Sequence, residues 1–325
     1  MRAAVTWWER HQVLLYLAAI AAGAVVGLLV PGSAQPLEVM ITPALGVLLY
    51  ATFLGVPFTA IRRAITDWRF LGAVLVVNFI VVPAVVFGLS RIVASDQVVL
   101  VGVLFVLLAP CVDYVIVFAG MAGGAKDRLL AATPLLMLLQ ILALPLYLWM
   151  MAGPDVVDAF DPQPFVDAFL LLIVLPLVLA AVTQLLAKRY RLGRAIQHAM
   201  LAATVPLMVI TLATVVGSQV LAVSGALGQL LIAVPVFVAF VPIAACLGAL
   251  IARGARLDVP GRRAVVFSGV TRNSLVVLPL VLALPQSFAL APLVVVTQTL
   301  VELVAMTAMV TLVPRVIGAR RSTAV

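Results

Sequence analysis

Residues 106–126 read VLLAPCVDYVIVFAGMAGGAK, an apolar stretch of membrane-spanning length with Pro110 and Asp113 near its centre. Proline removes a backbone hydrogen-bond donor and clashes with the preceding helical turn. A charged side chain at bilayer depth costs roughly 2.5–3.5 kcal/mol even on the lenient insertion scale. The stretch therefore predicts a membrane helix that is broken at Pro110 and carries a functional carboxylate at the break.

A second stretch, FSGVTRNSLVVLPLVLAL at residues 267–284, is interrupted by Gly269 and by the polar run 271–274, which contains Arg272. A third intramembrane charge, Glu302, lies in the last apolar segment, whereas all other charged residues fall in loops, at segment edges or at the termini. Such residues usually face a bundle interior or a water-filled path, and they usually pair. We expect Asp113 and Arg272 to face each other where the two broken helices cross.

The composition is that of an integral membrane protein. Of the 325 residues, 65% are hydrophobic and only 10% are charged, against about 25% charged in soluble domains. The net charge of +8 comes from residues between the apolar segments, so membrane topology explains it better than a nucleic-acid partner. Neither a phosphate-binding loop nor a metal-ligand cluster is visible, and we predict no enzyme activity, no cofactor and no metal.

Hydropathy predicts ten spans, since about 20 mostly apolar residues are needed to cross the bilayer. Eighteen of the 20 basic residues then fall on one side, and the positive-inside rule places that side, with both termini, in the cytoplasm. The chain is expected in the plasma membrane as a multi-pass protein. The predicted spans are 13–31, 37–57, 70–93, 98–123, 129–152, 164–187, 195–219, 226–251, 263–284 and 288–315.

Ten spans with both termini on one side divide into two five-helix halves of opposite topology, residues 1–160 and 161–325. This is the inverted-repeat plan of many secondary transporters. The two interrupted spans are the fourth and the ninth, so they occupy corresponding positions in the halves. Discontinuous helices at matching positions are the best sequence indication of a transporter binding site.

Several short motifs resemble the bile acid/sodium symporter superfamily, and within it the arsenite-efflux permease branch is the closer match. The third span has an Asn-aromatic motif that ends in proline, and the fourth has a cysteine at its break followed by a hydrophobic run. The fifth has a glutamine before an apolar run, and the tenth has a glutamate after a leucine-hydrophobic pair. These motifs are 78–83 (NFIVVP), Cys111 with 115–118 (VIVF), Gln140-Ile141 and Leu300-Val301-Glu302.

The resemblance implies an all-α fold in which spans 3–5 and 8–10 form a core domain with crossed, broken helices. Spans 1, 2, 6 and 7 would form a panel domain, and the two domains would move against each other in alternating access. The sequence departs from sodium-coupled relatives in the ninth span, where their sodium-binding Glu and Gln align with Ser268 and Arg272. The resemblance therefore implies a transporter that does not depend on sodium.

The leading function is proton-coupled antiport that exports arsenite or a related metalloid. The alternative is a sodium-independent organic anion transporter in which Arg272 meets a carboxylate. A non-transporting scaffold or sensor would leave three charges at membrane depth unexplained. The expected partners are a small-molecule or oxyanion substrate and the lipid bilayer, and no oligomeric state is predicted.

Candidate substrate or coupling residues follow from these readings. Cys111 is a soft thiol suited to arsenic(III). Asp113 is the expected proton carrier, with Glu302 as the alternative if Asp113 is locked to Arg272. Arg272 replaces a bound sodium ion, contacts an anionic substrate, or serves only the packing of the protein. Other polar side chains in the spans either line the site or make only interhelical hydrogen bonds: Asn78, Gln140, Thr271, Asn273, Ser274, Thr297, Gln298 and Thr299.

Overall fold

The computed structural model describes residues 2–55, 66–112, 114–153, 167, 170–224 and 227–318. Helices dominate these ranges because a lipid-embedded backbone must satisfy its hydrogen bonds within its own segment. The longer helices over the described residues are α1 (Arg2–Leu29), α2 (Ala34–Gly55), α3 (Trp68–Val76, a π-helical turn Val77–Val81, then Val82–Ser90), α4 (Gln97–Leu107), α5 (Tyr114–Met121), α6 (Lys126–Ala152), α7 (Leu175–Arg189, preceded by a π-helical turn Leu170–Val174), α8 (Arg191–Ser224), α9 (Leu227–Gly254), α10 (Val259–Val270), α11 (Ser274–Leu282) and α12 (Ala291–Val316).

Seven helical segments of the described chain are long and apolar enough to cross a membrane. The apolar part of α1, Leu14–Leu29, and α4 are shorter than this criterion. The chain is therefore a multi-pass membrane protein, and the count of ten spans stays a prediction. Several helices start earlier than hydropathy predicts. For example, α1 includes the polar residues before the apolar part, and α10 begins at Val259, where Pro260 suits the first helical turn.

Both predicted interruptions are present in the structure. Helix α4 ends at Leu107 and α5 begins at Tyr114, so Pro110 and Cys111 lie in non-helical backbone. Helix α10 ends at Val270 and α11 begins at Ser274, which leaves Arg272 in the gap. Asp113 lies outside the described residues, so its predicted pairing with Arg272 stays a prediction.

The described chain divides into two compact units. The first comprises Met1–Val56, Asp155–Leu231 and Leu275–Thr297. Within it, α1 packs closely on α8 because small residues meet: a Cβ at Gly23 or Gly27 would collide with the carbonyl oxygen of Ala213 or Gly217, respectively. Helix α7 is tied to α2 by a hydrogen bond of 2.8 Å between the Tyr50 and Thr183 hydroxyls.

The second unit comprises Pro57–Pro154, Ile232–Ser274 and Gln298–Val325. At one edge, Arg128 at the start of α6 forms ion pairs with Asp67 at 3.2 Å and Asp258 at 2.6 Å, the residues that precede α3 and α10. Arg263 of α10 donates to the carbonyl oxygens of Ala122 and Ile317, which follow the ends of α5 and α12. These contacts fix the ends of five helices around the unit's buried polar centre.

The predicted repeats, 1–160 and 161–325, and the predicted core and panel domains stay predictions. The two units are defined by which residues pack together. Repeats would be two halves related by symmetry, and core and panel domains would move against each other, and packing alone tests neither property.

Candidate functional site

The two helix breaks pair with each other inside the second unit. Pro110 and Arg272 form an antiparallel backbone bridge. On either side of it, the Cys111 N–H donates to the Thr271 carbonyl oxygen at 3.2 Å, and the Asn273 N–H donates to the Ala109 carbonyl oxygen at 2.8 Å. Because lipid offers no hydrogen-bond partners, irregular backbone at membrane depth is tolerated only where protein or a water-filled cavity satisfies it. Each break provides hydrogen-bond partners for the backbone of the other.

The Arg272 guanidinium lies fully buried against the C-terminal ends of two half-helices. Its Nη1 donates to the Leu107 carbonyl oxygen of α4 at 3.3 Å. Its Nη2 donates to the carbonyl oxygens of Ser268 and Gly269 in the last turn of α10, at 2.7 and 2.8 Å. The final carbonyls of a helix have no intrahelical partner and carry the negative end of the helix dipole. A fixed cation at this position therefore neutralises two helix ends together.

Asn78 supplies a further acceptor to the guanidinium, from the π-helical turn of α3. Its Oδ1 accepts from Arg272 Nη2 at 2.9 Å, while its Nδ2 donates to the Ser268 hydroxyl at 2.9 Å and to the Val74 carbonyl at 3.0 Å. The side chain is fully buried, and both ends of its amide have partners. These bonds identify Asn78 as a residue that positions Arg272.

An aromatic ring completes the surroundings of the guanidinium. The Cζ atom of Arg272 lies 5.6 Å from the centre of the Phe240 ring of α9. A guanidinium within about 6 Å of an aromatic face is attracted by the negative charge of that face. Oxygen acceptors and an aromatic face are both features of a site that holds a cation.

Glu302 is held beside the same break by neutral donors. Its Oε2 accepts the backbone N–H of Arg272 at 2.9 Å and also accepts from Nε2 of Gln298, one turn earlier on α12. The carboxylate is buried, with 2% of its residue surface exposed. Glu302 therefore bonds directly to the interrupted backbone of the ninth predicted span, and its charge state bears on the geometry of that break.

Cys111 lies at the paired breaks with its side chain buried, whereas Cys246, on α9, is exposed. The carbonyl that accepts the Cys111 N–H belongs to Thr271, whose hydroxyl donates to the Phe267 carbonyl at 2.7 Å and approaches the Met306 sulfur at 3.4 Å. Thr271 thus links the backbone at Cys111 to α10 and to Met306 of α12.

The buried polar atoms without a hydrogen-bond partner among the residues that the structure describes include Gln140 Oε1, Ser274 Oγ and Gln298 Oε1, all in the second unit. Their residues are at most 4% exposed. A buried polar group without a partner costs about 1–3 kcal/mol, so each such atom in a native protein needs an explanation, such as a water molecule or a ligand. Two of the three are amide oxygens, which only accept hydrogen bonds.

The structure brings together most of the predicted site residues. Asn78, Arg272 and Glu302 are joined directly by hydrogen bonds, and Cys111 and Asn273 lie in the paired breaks. Ser274 begins α11 just after the break. Gln140 is buried on α6 and makes no hydrogen bond to any of them within the described chain.

The sequence identifies Gln298 only as a polar lining group, names Ser268 only for its alignment with a sodium ligand of relatives, and does not point to Phe240. The contact between Gln298 and Glu302 had a usable signal, because residues four apart on a helix are neighbours. Ser268 and Phe240 had none, since their roles depend on side chains that lie far away in the sequence.

Comparison with protein families gives a match over residues 42–225 to the model described as the Sodium Bile acid symporter family. The matched region is more than half of the chain and contains α3 to α8. No curated protein matches the sequence significantly.

Proposed function

The chain belongs to the Sodium Bile acid symporter family, a family of membrane transporters, and on that premise we propose that it exports arsenite or a related metalloid by sodium-independent proton antiport. Transport proceeds by alternating access. In this proposal ten spans form two inverted repeats in the plasma membrane, with both termini in the cytoplasm. A core of spans 3–5 and 8–10 moves against a panel of spans 1, 2, 6 and 7.

One observation carries the sodium-independent part of the proposal: the Arg272 guanidinium donates to three carbonyl oxygens at the ends of two half-helices and to the Asn78 amide oxygen. Carbonyl and amide oxygens are ligands of hard cations, and arginine stays protonated at physiological pH. Arg272 thus provides, as part of the chain, the positive charge that sodium-coupled relatives obtain from the ion. A permanent charge at this position removes the need to bind sodium in each cycle.

The same contacts favour a neutral substrate over an organic anion. A carboxylate would have to draw Arg272 away from oxygens that are themselves buried and would then lose their donor, at a cost of about 1–3 kcal/mol for each group left unsatisfied. Trivalent arsenic in neutral water is the uncharged acid As(OH)₃, whose hydroxyl groups donate hydrogen bonds. The open amide oxygens of Gln140 and Gln298 are acceptors, and the Cys111 thiol is a soft ligand.

Coupling rests on a buried carboxylate. Glu302 accepts two hydrogen bonds through Oε2, and a proton on this group would weaken its hold on the Arg272 N–H, because charged acceptors bind more strongly than neutral ones. Protonation is thereby linked to the backbone of the break. Asp113 is the other proposed carrier.

The test is transport by the purified protein in proteoliposomes. An imposed pH gradient should drive arsenite movement against the proton flow, and replacing sodium with potassium should leave the rate unchanged. A strict requirement for sodium would contradict the role given to Arg272. The rival function predicts instead that a bile acid or another organic carboxylate is transported and that arsenite is not.

A further inference from the structure

A short basic hairpin joins α7 to α8 in the first unit. It contains Lys188, Arg189, Arg191 and Arg194 within seven residues, and all four side chains are exposed. None of the four forms an ion pair with another residue that the structure describes. The hairpin therefore presents a concentrated positive charge that the described protein does not neutralise.

The length of the span that ends in α7 and the short connection to α8 place this charge at the surface of the membrane. The span that ends in α7 runs from Leu170 to Arg189 and has 20 residues, which corresponds to about 30 Å, the thickness of the hydrocarbon core. Tyr190 is the one non-helical residue before α8 starts at Arg191. With so short a connection, the basic side chains stay at the level of the lipid headgroups.

The hairpin backbone is held in place by close packing. A Cβ at Gly193 would lie 2.7 Å from the Ala187 nitrogen, so the helices can approach this closely only with glycine. The Tyr190 N–H donates to the Leu186 carbonyl oxygen at 2.8 Å, and Arg194 reaches the Ala187 carbonyl oxygen at 3.5 Å. Binding by the exposed side chains would therefore require little ordering of the backbone.

Apolar side chains accompany the charges. Tyr190 is 57% exposed and Leu192, next to Arg191, is 71% exposed. Tyrosine is enriched at membrane interfaces, and an exposed leucine beside arginines fits a boundary between headgroups and acyl chains. Free phosphate offers no apolar surface for these two residues, whereas a phospholipid offers both a phosphate and an acyl chain.

We propose that the α7–α8 hairpin is a binding surface for anionic phospholipid headgroups, on the predicted cytoplasmic side. The arginines bind phosphate oxygens through their guanidinium forks, while Tyr190 and Leu192 contact the glycerol and upper acyl region. Each basic residue near an anionic membrane surface strengthens binding roughly fivefold. This surface is independent of the transported substrate.

The test is native mass spectrometry of the full-length protein with phosphatidylglycerol and phosphatidylcholine that carry the same acyl chains. The wild type should retain phosphatidylglycerol preferentially. R189Q/R191Q should reduce that preference at least fivefold, and R189K/R191K should keep most of it. R253Q/R256Q removes the same charge from two exposed residues, Arg253 in the last turn of α9 and Arg256 two residues beyond its end, and should leave the preference nearly unchanged.

Equal losses in the two glutamine variants, or an unchanged preference in R189Q/R191Q, would overturn the proposal. Two wild-type measurements keep it testable if a variant does not fold. Added salt should weaken the phosphatidylglycerol preference, and a preference that is insensitive to salt would contradict a charge-based surface. Glycerol phosphate at the same concentration should not displace the lipid, and displacement would identify a soluble-phosphate site instead.

Discussion

Pro110 and Arg272 face each other across an antiparallel bridge between two helix breaks. Proline has no N–H to donate, so the bonds on either side come from Cys111 and Asn273. The backbone at the breaks is consequently paired. The Arg272 side chain bonds to carbonyls that have no intrahelical partner because α4 and α10 end there. The two helix breaks therefore form one polar site together.

Asn78→Leu should destabilise the protein, because Arg272 Nη2 loses an acceptor and the Ser268 hydroxyl loses a donor. We expect the free energy of unfolding to fall by about 1–3 kcal/mol, measured by thermal or denaturant unfolding in detergent. Asn78→Asp keeps an acceptor for Arg272 and should lose less. Equal stability of wild type and Asn78→Leu would mean that Asn78 does not position Arg272.

Tyr147→Phe should also lower stability. Pro83 cannot donate to the Phe79 carbonyl four residues earlier, and the Tyr147 hydroxyl donates to that oxygen at 2.6 Å instead. Removing the hydroxyl leaves the carbonyl with one donor fewer inside a membrane helix, at an expected cost of about 1–3 kcal/mol. Tyr190→Phe, at an exposed position, serves as the control and should change unfolding by less than about 0.5 kcal/mol. Identical behaviour of the two variants would refute the assigned role.

Gly27→Ala tests the packing of α1 on α8. The added Cβ would collide with the backbone oxygen of Gly217, which cannot rotate away, and overpacking of this kind costs about 1–3 kcal/mol. Gly88→Ala is the matched control in α3, since its Cβ would meet nothing within 4 Å. It should be neutral, or more stable by about 0.8–1.0 kcal/mol from helix propensity. Equal unfolding temperatures for both variants would exclude close contact at Gly27.

The helices and their two breaks could be predicted because the bilayer makes the rules strict. The length of an apolar segment predicts a span. Pro110 and the polar run around Arg272 interrupt the continuous apolar helix that a lipid-exposed span requires. The start of α1 could not be predicted in this way, since its first residues are polar and helical outside the apolar pattern. Hydropathy identifies the segments that are apolar enough to lie in lipid, whereas a helix can extend from such a segment into polar sequence.

The side-chain partners could be predicted only in part. Charge at membrane depth identifies Arg272 and Glu302 as site residues, and Asn78 is identified as a polar lining residue but not as a partner of Arg272. The other three acceptors of Arg272 are backbone carbonyls, which cannot be singled out because every residue has one. The sequence does not indicate which helix end lies nearby, and Asn78 and Ser268 are separated by 190 residues.

Cys111→Ser should abolish arsenite resistance in a sensitive bacterial host, because the hydroxyl is a hard ligand and binds arsenic(III) less well than a thiol. Cys246→Ser is the matched control, since that cysteine is exposed on α9 and should be dispensable. Both variants must be compared at equal membrane abundance. Resistance that survives in Cys111→Ser would remove the thiol from the substrate site, and a wild type that confers no resistance would favour the organic-anion function.

The predicted pairing of Asp113 with Arg272 can be tested by a double-mutant cycle. Removing one partner of a buried pair leaves an uncompensated charge, at a typical cost of about 3–5 kcal/mol. Asp113→Asn and Arg272→Gln should therefore each reduce the amount of folded protein, measured by size-exclusion chromatography of a fluorescent fusion. The double variant should recover more folded protein than either single variant, because it buries no lone charge.

The double-mutant cycle also tests the other contacts of Arg272, because its guanidinium bonds to four protein oxygens. Recovery in the double variant should be incomplete, because glutamine replaces those bonds only in part. Transport by the double variant should remain absent if Asp113 or Arg272 takes part in transport as well as in folding. Losses that simply add in the double variant would show that the two residues do not interact. Arg272 would then be stabilised by the helix ends and Asn78 without Asp113.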